Sequence, residues 1–235
     1  MINVQKIYQF LSEPQKSRLC FEVLQKTEST NDIALLCNPD TVVIAGEQTK
    51  GRGRENREFY SGRGGIYMSV AVRVEQLDRL TVRFASATAR AIEQVLGKSV
   101  AIKWVNDLIV DGKKACGILC ESRVQGDKIS AVAGVGINLC GEIPEYLAEI
   151  ATTLSNTDEK KEELVAKILD YFYQEWDFME YYRNKSLVLG KKIEHDGEIY
   201  EAVGIADDGG LVLENQCRRI VKRTGEIRVA LADLL

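Results

Sequence analysis

Short β-branched or alternating apolar runs, bounded by turn residues, recur through the first 140 positions of the chain. Those at 41–47 (TVVIAGE), 66–74 (IYMSVAVRV) and 100–105 (VAIKWV) predict strands. The segment 107–122 (DLIVDGKKACGILCES) predicts a hairpin turning at Asp111-Gly112, and 129–139 (ISAVAGVGINL) suggests a further strand pair. Two stretches carry the helical period instead. Leu77, Leu80, Phe84, Ala87, Ala91 and Val95 share one face, closed by Gly97. Leu164, Ile168, Phe172, Trp176 and Met179 share another, with Thr157 or Asp158 as N-cap.

After about residue 186 the texture changes. Short strand-like runs are separated by DG, DDGG and TGE turns with no helical period, the pattern of a small β-barrel. The pattern therefore predicts a main domain over 1–186 and a small second one over 187–235. At the other end, about twenty residues precede CFEVL. They leave room for one short helix, whereas a helix-turn-helix reader needs two and a basic face.

Composition narrows the function classes. With 31 Lys+Arg against 35 Asp+Glu the formal charge is −4, and 45% of residues are hydrophobic. A core of ordinary size is affordable, and an acidic chain argues against nucleic-acid backbone as the main partner. No run of about eighteen apolar residues predicts a membrane span, and MINVQKIYQF lacks a signal-peptide layout. The six cysteines include no C-x-x-C pair and there is one histidine. A reduced, cytoplasmic protein without a disulfide framework is the expectation. His195, beside Asp196-Gly197, reads as a turn residue, so a His-dependent nucleophile triad is not predicted.

Against that acidic background, residues 50–65 (KGRGRENREFYSGRGG) hold four arginines, a lysine and five glycines. This stretch fits neither a dinucleotide fingerprint nor a P-loop. Two readings stand: a solvated charged loop with Glu55 and Glu58 interleaved, or a mobile anion-binding loop whose glycines permit close backbone approach. At 27–32 (TESTND), Ser29 or Thr30 caps a following helix, borders a polar ligand with Asn31, or does both. In KWVND (103–107), Lys103 and Asp107 form a surface pair or Asp107 belongs to a site. Lys113 and Lys114 are solvated, or one completes a cationic cradle. GVGIN (134–138) is a close-packed strand whose terminal Asn138 has no structural explanation.

Taken in order, S-T-N at 29–31, Q-x-x-G-R-G-R-x-x-R at 48–57, K-W-x-N-D at 103–107, K-x-x-G-I-L-x-E at 114–121 and G-x-G-I-N at 134–138 resemble the biotin protein ligases. The resemblance is strong over about 25–140 and looser for the C-terminal part. Asn56, Phe59, Ser61-Gly62 and Val105 depart from the usual glycine, tryptophan, serine-proline and proline; Asn56 is expected to take a glycine-like turn. The family's DNA-binding extension is missing, which is expected of its ligase-only form. The implied fold is α+β: a mixed, largely antiparallel sheet with packed helices, similar to biotin/lipoate ligases and class II aminoacyl-tRNA synthetases, plus an SH3-like barrel.

The resemblance implies activation of biotin by Mg²⁺-ATP to biotinyl-5′-AMP, then transfer to a lysine of a biotin carboxyl carrier domain. It places Ser29, Thr30, Asn31, Gln48, Arg52, Gly53, Arg54 and Lys114 at biotin. It places Arg52, Arg54, Arg57, Asn106, Asp107 and Asn138 at ATP or the adenylate, with Arg52, Arg54 and Lys114 as the catalytic cations. By the same resemblance Asn106 and Asp107 help hold ATP or its metal, the metal's ligands are otherwise left open, and a homodimer is compatible with the resemblance. The alternatives are a lipoate or octanoate ligase or transferase of the sister family, and a non-enzymatic regulator.

Overall fold

The computed structural model describes residues 2–73, 77, 79–126, 128–225 and 227. Among these, seven strands form one sheet in the order β1-β2-β3-β7-β6-β5-β4. They are β1 (Cys20–Leu24), β2 (Thr41–Ala45), β3 (Ile66–Val72), β4 (Ala101–Lys103), β5 (Asp107–Val110), β6 (Lys113–Gln125) and β7 (Lys128–Ile137). β1 and β2 run parallel, and the other neighbouring pairs are antiparallel. Parallel neighbours need a crossover, supplied by α3 (Thr30–Ala34).

Strand alternation sorts the sheet's two faces. Ile66, Met68, Val70 and Val72 of β3, with Ala131, Ala133, Val135 and Ile137 of β7, enter the main core. That core lies beneath α4 (Leu80–Leu96), which packs against α5 (Lys161–Tyr173) and α6 (Phe178–Lys185). Because α4 is covered on two sides, Leu80, Val82, Phe84, Ala87, Ala91, Ile92 and Val95 are all buried. Phe84 meets Phe172 edge-on with centroids 5.0 Å apart, worth about 0.5–1.5 kcal/mol beyond its area. The opposite face, bearing Ser69, Gly117, Gly134 and Gly136, is left to α3 and the glycine-arginine loop.

The hairpin and the long helix match the sequence reading. Asp111 (φ 50°) and Gly112 (φ 76°) make the β5–β6 turn, and Gly97 (φ 66°) ends α4. Several expectations need correction. The segment before β1 holds two short helices, α1 (Val4–Phe10) and α2 (Glu13–Arg18), packed on α5; Pro14 in the first turn restarts the helix after Leu11. The 129–139 run is one strand, β7, paired with both β3 and β6. The helix expected through Met179 breaks after Tyr173, because Asp177 accepts a hydrogen bond from Glu180 N (2.8 Å) and caps a new helix. Trp176 lies in that break. At the other end of α5 the capping position is Lys160, not Thr157 or Asp158.

The C-terminal strands β8 (Lys192–His195), β9 (Glu198–Ile205), β10 (Leu211–Glu214) and β11 (Arg219–Lys222) form an antiparallel sheet in the order β11-β10-β9-β8. Asp196 and Gly197, both at positive φ, turn the chain beside His195 as expected. Ile193, Tyr200, Leu211 and Leu213 join the same buried cluster as the large sheet. The expected end of the β3 run at Val74 and any barrel closure over 228–235 lie outside the described residues.

Candidate active site

The glycine-bearing face of the sheet forms the floor of a cavity of about 270 Å³. Ser29, Thr30, Asn31, Gln48, Arg52, Gly53, Arg54, Arg57, Asn106, Asp107 and Lys114 all line it, so eleven expected residues drawn from four separate motifs meet in one place. Asn138 is the exception. It lies just past β7, and its backbone ties Ala115 to Leu154.

One end of the cavity is an uncharged hydrogen-bonding rim. Ser29 takes the N-cap position of α3, but its hydroxyl makes no cap bond. Gln48 caps the helix instead: its Oε1 accepts from Thr30 N (2.8 Å) and from Thr30 Oγ1 (3.1 Å). The expected Ser/Thr cap is thus replaced by a side chain from across the cavity, which leaves the Ser29 hydroxyl for other work. Gln48 is fixed in turn by Nε2, which donates to Ser61 Oγ (3.1 Å).

Ser69, a residue sequence reasoning did not single out, organises this rim. Its fully buried Oγ lies 2.7 Å from Thr30 Oγ1 and 2.6 Å from Asn31 Oδ1. A hydroxyl carries one proton. Asn31 Nδ2 donates to Glu121 Oε2 (2.6 Å) and Leu119 O (3.2 Å), which fixes the amide's orientation and makes Oδ1 the acceptor. Ser69 therefore donates to Asn31, and Thr30 supplies its own proton to Ser69 or Gln48. The sequence signal was only a serine at an inward-alternating position of a buried strand.

The glycines of G-x-G-I-N also acquire a reason. A Cβ on Gly134 would stand 2.1 Å from Asn31 Oδ1, and one on Gly136 would stand 2.4 Å from the Phe59 ring. Gly117 faces Gly136 across the β6–β7 ladder, so Phe59 lies on a floor free of side chains. Gly51 is likewise required, since a Cβ there would meet Ser61 Oγ at 2.2 Å. In the loop, the left-handed residue is Glu55 (φ 56°), not Asn56, which keeps helical backbone angles.

The other end is cationic. Lys114 Nζ sits 2.7 Å from Asp107 Oδ1 and 5.7 Å from the Phe59 centroid. Asp107 Oδ1 is buried and accepts no well-aligned hydrogen bond, so charge rather than hydrogen-bond geometry holds this pair. Lys103 and Asp107 are register partners across β4 and β5, but the salt bridge of Asp107 is with Lys114. Lys113, on the opposite side of the strand, instead donates to Ala148 O (2.6 Å). Arg54 Nη2 donates to Gly225 O (3.2 Å), and its guanidinium lies 6.0 Å from the Trp104 ring centroid. Asn106 Nδ2 donates to Ile118 O (2.9 Å), which anchors the turn carrying Asp107.

Arg52 bridges the two ends. It forms a two-pronged pair with Asp32 and also contacts Glu121. The Arg52 hydrogen bonds hold the Asp32 carboxyl below its usual range despite partial burial, and Asp32 in turn raises the Arg52 guanidinium. Behind the floor, burial pushes the Cys120 thiol up to about 12 and raises Cys116 as well, so neither is a thiolate nucleophile near neutrality. Among the described residues, no three His, Cys, Asp or Glu side chains converge as a metal cage.

A cavity with neutral donors and acceptors at one end and cations at the other, on a mixed sheet backed by helices, defines a small-molecule-binding α+β domain whose ligands carry negative charge. The chain belongs to the biotin/lipoate A/B protein ligase family, whose profile matches residues 20–138. It is 33% identical over 222 residues to the bifunctional ligase/repressor BirA of Bacillus spizizenii, covering 83% of this chain and 68% of that one. Among solved structures it is similar to the Aquifex aeolicus biotin protein ligase in complex with biotin and ATP, with TM-score 0.74, 27% identity, and coverage of 88% of this chain and 97% of that one. It is also similar to the Leishmania major biotin protein ligase in complex with biotinyl-5-AMP, with TM-score 0.58, 25% identity, and coverage of 87% and 98%.

Proposed function

We propose that this chain joins biotin to a lysine of a biotin carboxyl carrier domain in two ATP-dependent steps. One observation carries the reading: the neutral rim and the cations share a single cavity, assembled from motifs that resemble those of biotin protein ligases. In the first step a carboxylate oxygen of biotin attacks the α-phosphorus of ATP. A new acyl–phosphate bond forms, the α–β anhydride bond breaks, and pyrophosphate leaves. In the second step the neutral lysine amine attacks the acyl carbon, forming an amide and releasing AMP.

Ser29, Thr30, Asn31 and Gln48 hold the ureido ring, whose carbonyl and two N–H groups match a rim of hydroxyls and amides. Lys114 and Arg54 meet the carboxylate–phosphate junction, where two anions must approach and charge builds on the phosphoryl oxygens. Arg57 and Asn106 serve the nucleotide side. Asp107, whose Oδ1 is buried at the cavity, is the carboxylate that would hold Mg²⁺ brought in with ATP, and the ion would supply positive charge at the phosphoryl oxygens. The loop over 50–59 covers the adenylate and keeps water from hydrolysing it. Asn138, outside the cavity lining, acts through the backbone turn beside Lys114.

The domain division falls after Ser186, with 187–235 the smaller domain; from its described part, Gly225 O accepts from Arg54 at the nucleotide end. The carrier domain is the macromolecular partner this chemistry requires, and the cytoplasm is where ATP and carrier meet. Neither a homodimer nor a nucleic acid is needed. The test is transfer to a purified carrier domain with ATP and Mg²⁺, read by acceptor mass. A gain of one biotin that requires both substrates supports the reading. A gain with lipoate but not biotin overturns it in favour of the sister chemistry.

A further inference from the structure

The resemblance makes Arg52 one of the cations that meet the phosphate, but most of its N–H donors are already engaged. Nη1 and Nη2 donate to Asp32 Oδ2 (2.9 Å) and Oδ1 (2.6 Å), while Nε and Nη2 donate to Glu121 Oε1 (3.2 Å) and Oε2 (3.1 Å). A guanidinium has five N–H donors, and these contacts take four of them. A phosphate arriving at Arg52 would also face two carboxylates sharing one positive charge. Lys114 pairs with a single carboxylate in the lining, and Arg54 donates to a neutral carbonyl, that of Gly225.

The two carboxylates come from different elements. Asp32 stands on α3, one residue after the rim residue Asn31, and Glu121 stands on β6, 90 residues from Asn31. Glu121 Oε2 also accepts from Asn31 Nδ2 at 2.6 Å. Neither carboxylate lines the cavity, whereas Arg52 does. Arg52 is thereby tied at once to the helix that bears the rim and to the strand that forms the floor. Glu121 is the terminal residue of the K-x-x-G-I-L-x-E motif, to which the proposed reaction gives no task.

The geometry points to Asp32 and Glu121 as positioning residues that act through Arg52: they pin the glycine-arginine loop to the biotin rim, and so retain the acyl adenylate until an amine reaches it. This inference rests on the ligase reading and refines it. Arg52 is a strut of the loop, and phosphate charge is left to Lys114 and Arg54.

The experiment compares wild type, Asp32→Asn, Arg52→Gln and the double variant of the full chain. Adenylate formation is read as the single-turnover pyrophosphate burst. Retention is read as escape of labelled biotinyl-5′-AMP during a chase with excess unlabelled biotin and ATP. Asp32→Asn is expected to speed escape about tenfold, as for losing one charge-assisted contact, while changing the burst less than about threefold. The double variant should release no faster than Arg52→Gln alone, because both changes cut the same tie. Asp32→Glu, which keeps the charge, should recover part of the retention; a purely structural loss would not be recovered this way.

Unchanged escape in Asp32→Asn beside faster escape in Arg52→Gln would overturn the assignment, because Arg52 would then act without Asp32. Multiplying effects in the double variant would overturn it too, as would tighter ATP binding by Asp32→Asn, which would mean that the carboxylate restrains a phosphate-binding arginine. A wild-type chain that gives no biotin-dependent burst is a different result: it removes the ligase reading itself, and this inference with it.

Discussion

Two charged side chains, Lys114 and Asp40, show how residue context decides what a charge does. Lys114 stands in the cavity with Asp107 as its carboxylate partner and the Phe59 ring nearby. Lys114→Ala should lower biotin-dependent pyrophosphate release by ~10²–10³, as for removing one charge-stabilising donor, with little change in melting temperature. Asp40 is buried, at φ 68°, and far from that chemistry. Burial pushes its carboxyl up, yet hydrogen bonds from Arg73, Arg18 and Tyr173 outweigh burial and hold it below the usual 3.8. A depressed folded-state pKa means stability that is complete above that usual value and is lost as pH falls through the lower folded one. Asp40→Asn keeps a residue that tolerates positive φ. It should cost about 1–3 kcal/mol at pH 7 in urea unfolding and flatten the acid limb of stability below pH ~4.

At the scale of elements, β7 does two jobs by alternation. Its odd residues feed the core, and its glycines at 134 and 136 leave the other face bare for Asn31 and Phe59. The two glycines are not equivalent. A methyl at 134 meets the buried, hydrogen-bonded amide of Asn31 and, at 2.9 Å, the carbonyl of Leu119, whereas a methyl at 136 meets an aromatic side chain on a loop. Gly134→Ala should therefore cost about 1–3 kcal/mol of stability and raise KM for biotin more than for ATP. Gly136→Ala should spare the fold more fully. Parallel steady-state and thermal measurements on the two variants check both statements. The pattern of the β7 run made the strand and its glycines legible, but not the partners those glycines accommodate, which come from positions more than seventy residues earlier.

The molecule as a whole couples its two sheets. Trp104 Nε1 donates to Gly209 O (2.9 Å), and Arg183 Nε donates to Ile205 O (3.0 Å). The buried cluster runs without interruption from α4 to β10. Unfolding should then be a single cooperative transition despite the change of sequence texture near 186. Trp104→Phe keeps an aromatic ring but loses the pyrrole part of the indole and leaves the Gly209 carbonyl without that donor, and should destabilise by about 1–3 kcal/mol. Calorimetry checks both: two resolved transitions in the wild type would contradict the shared core. Because Trp104 also lines the cavity beside Arg54, the same variant should weaken ATP binding more than biotin binding.

The linear chain determined whatever depends on near neighbours. Apolar period located α4 and most strands, Asp111-Gly112 located the hairpin, and five ordered motifs carried the resemblance that named twelve residues, eleven of which line one cavity. Folding decided what depends on distance across the chain. The β1–α3–β2 crossover, the capping of α3 by Gln48, the buried proton of Ser69 and the hold of Asp32 and Glu121 on Arg52 all join residues whose separation leaves no local trace. A helical or strand period is set by backbone geometry within a few residues. A hydrogen bond between positions 90 apart exists only once register and packing have brought its two ends to 2.6 Å.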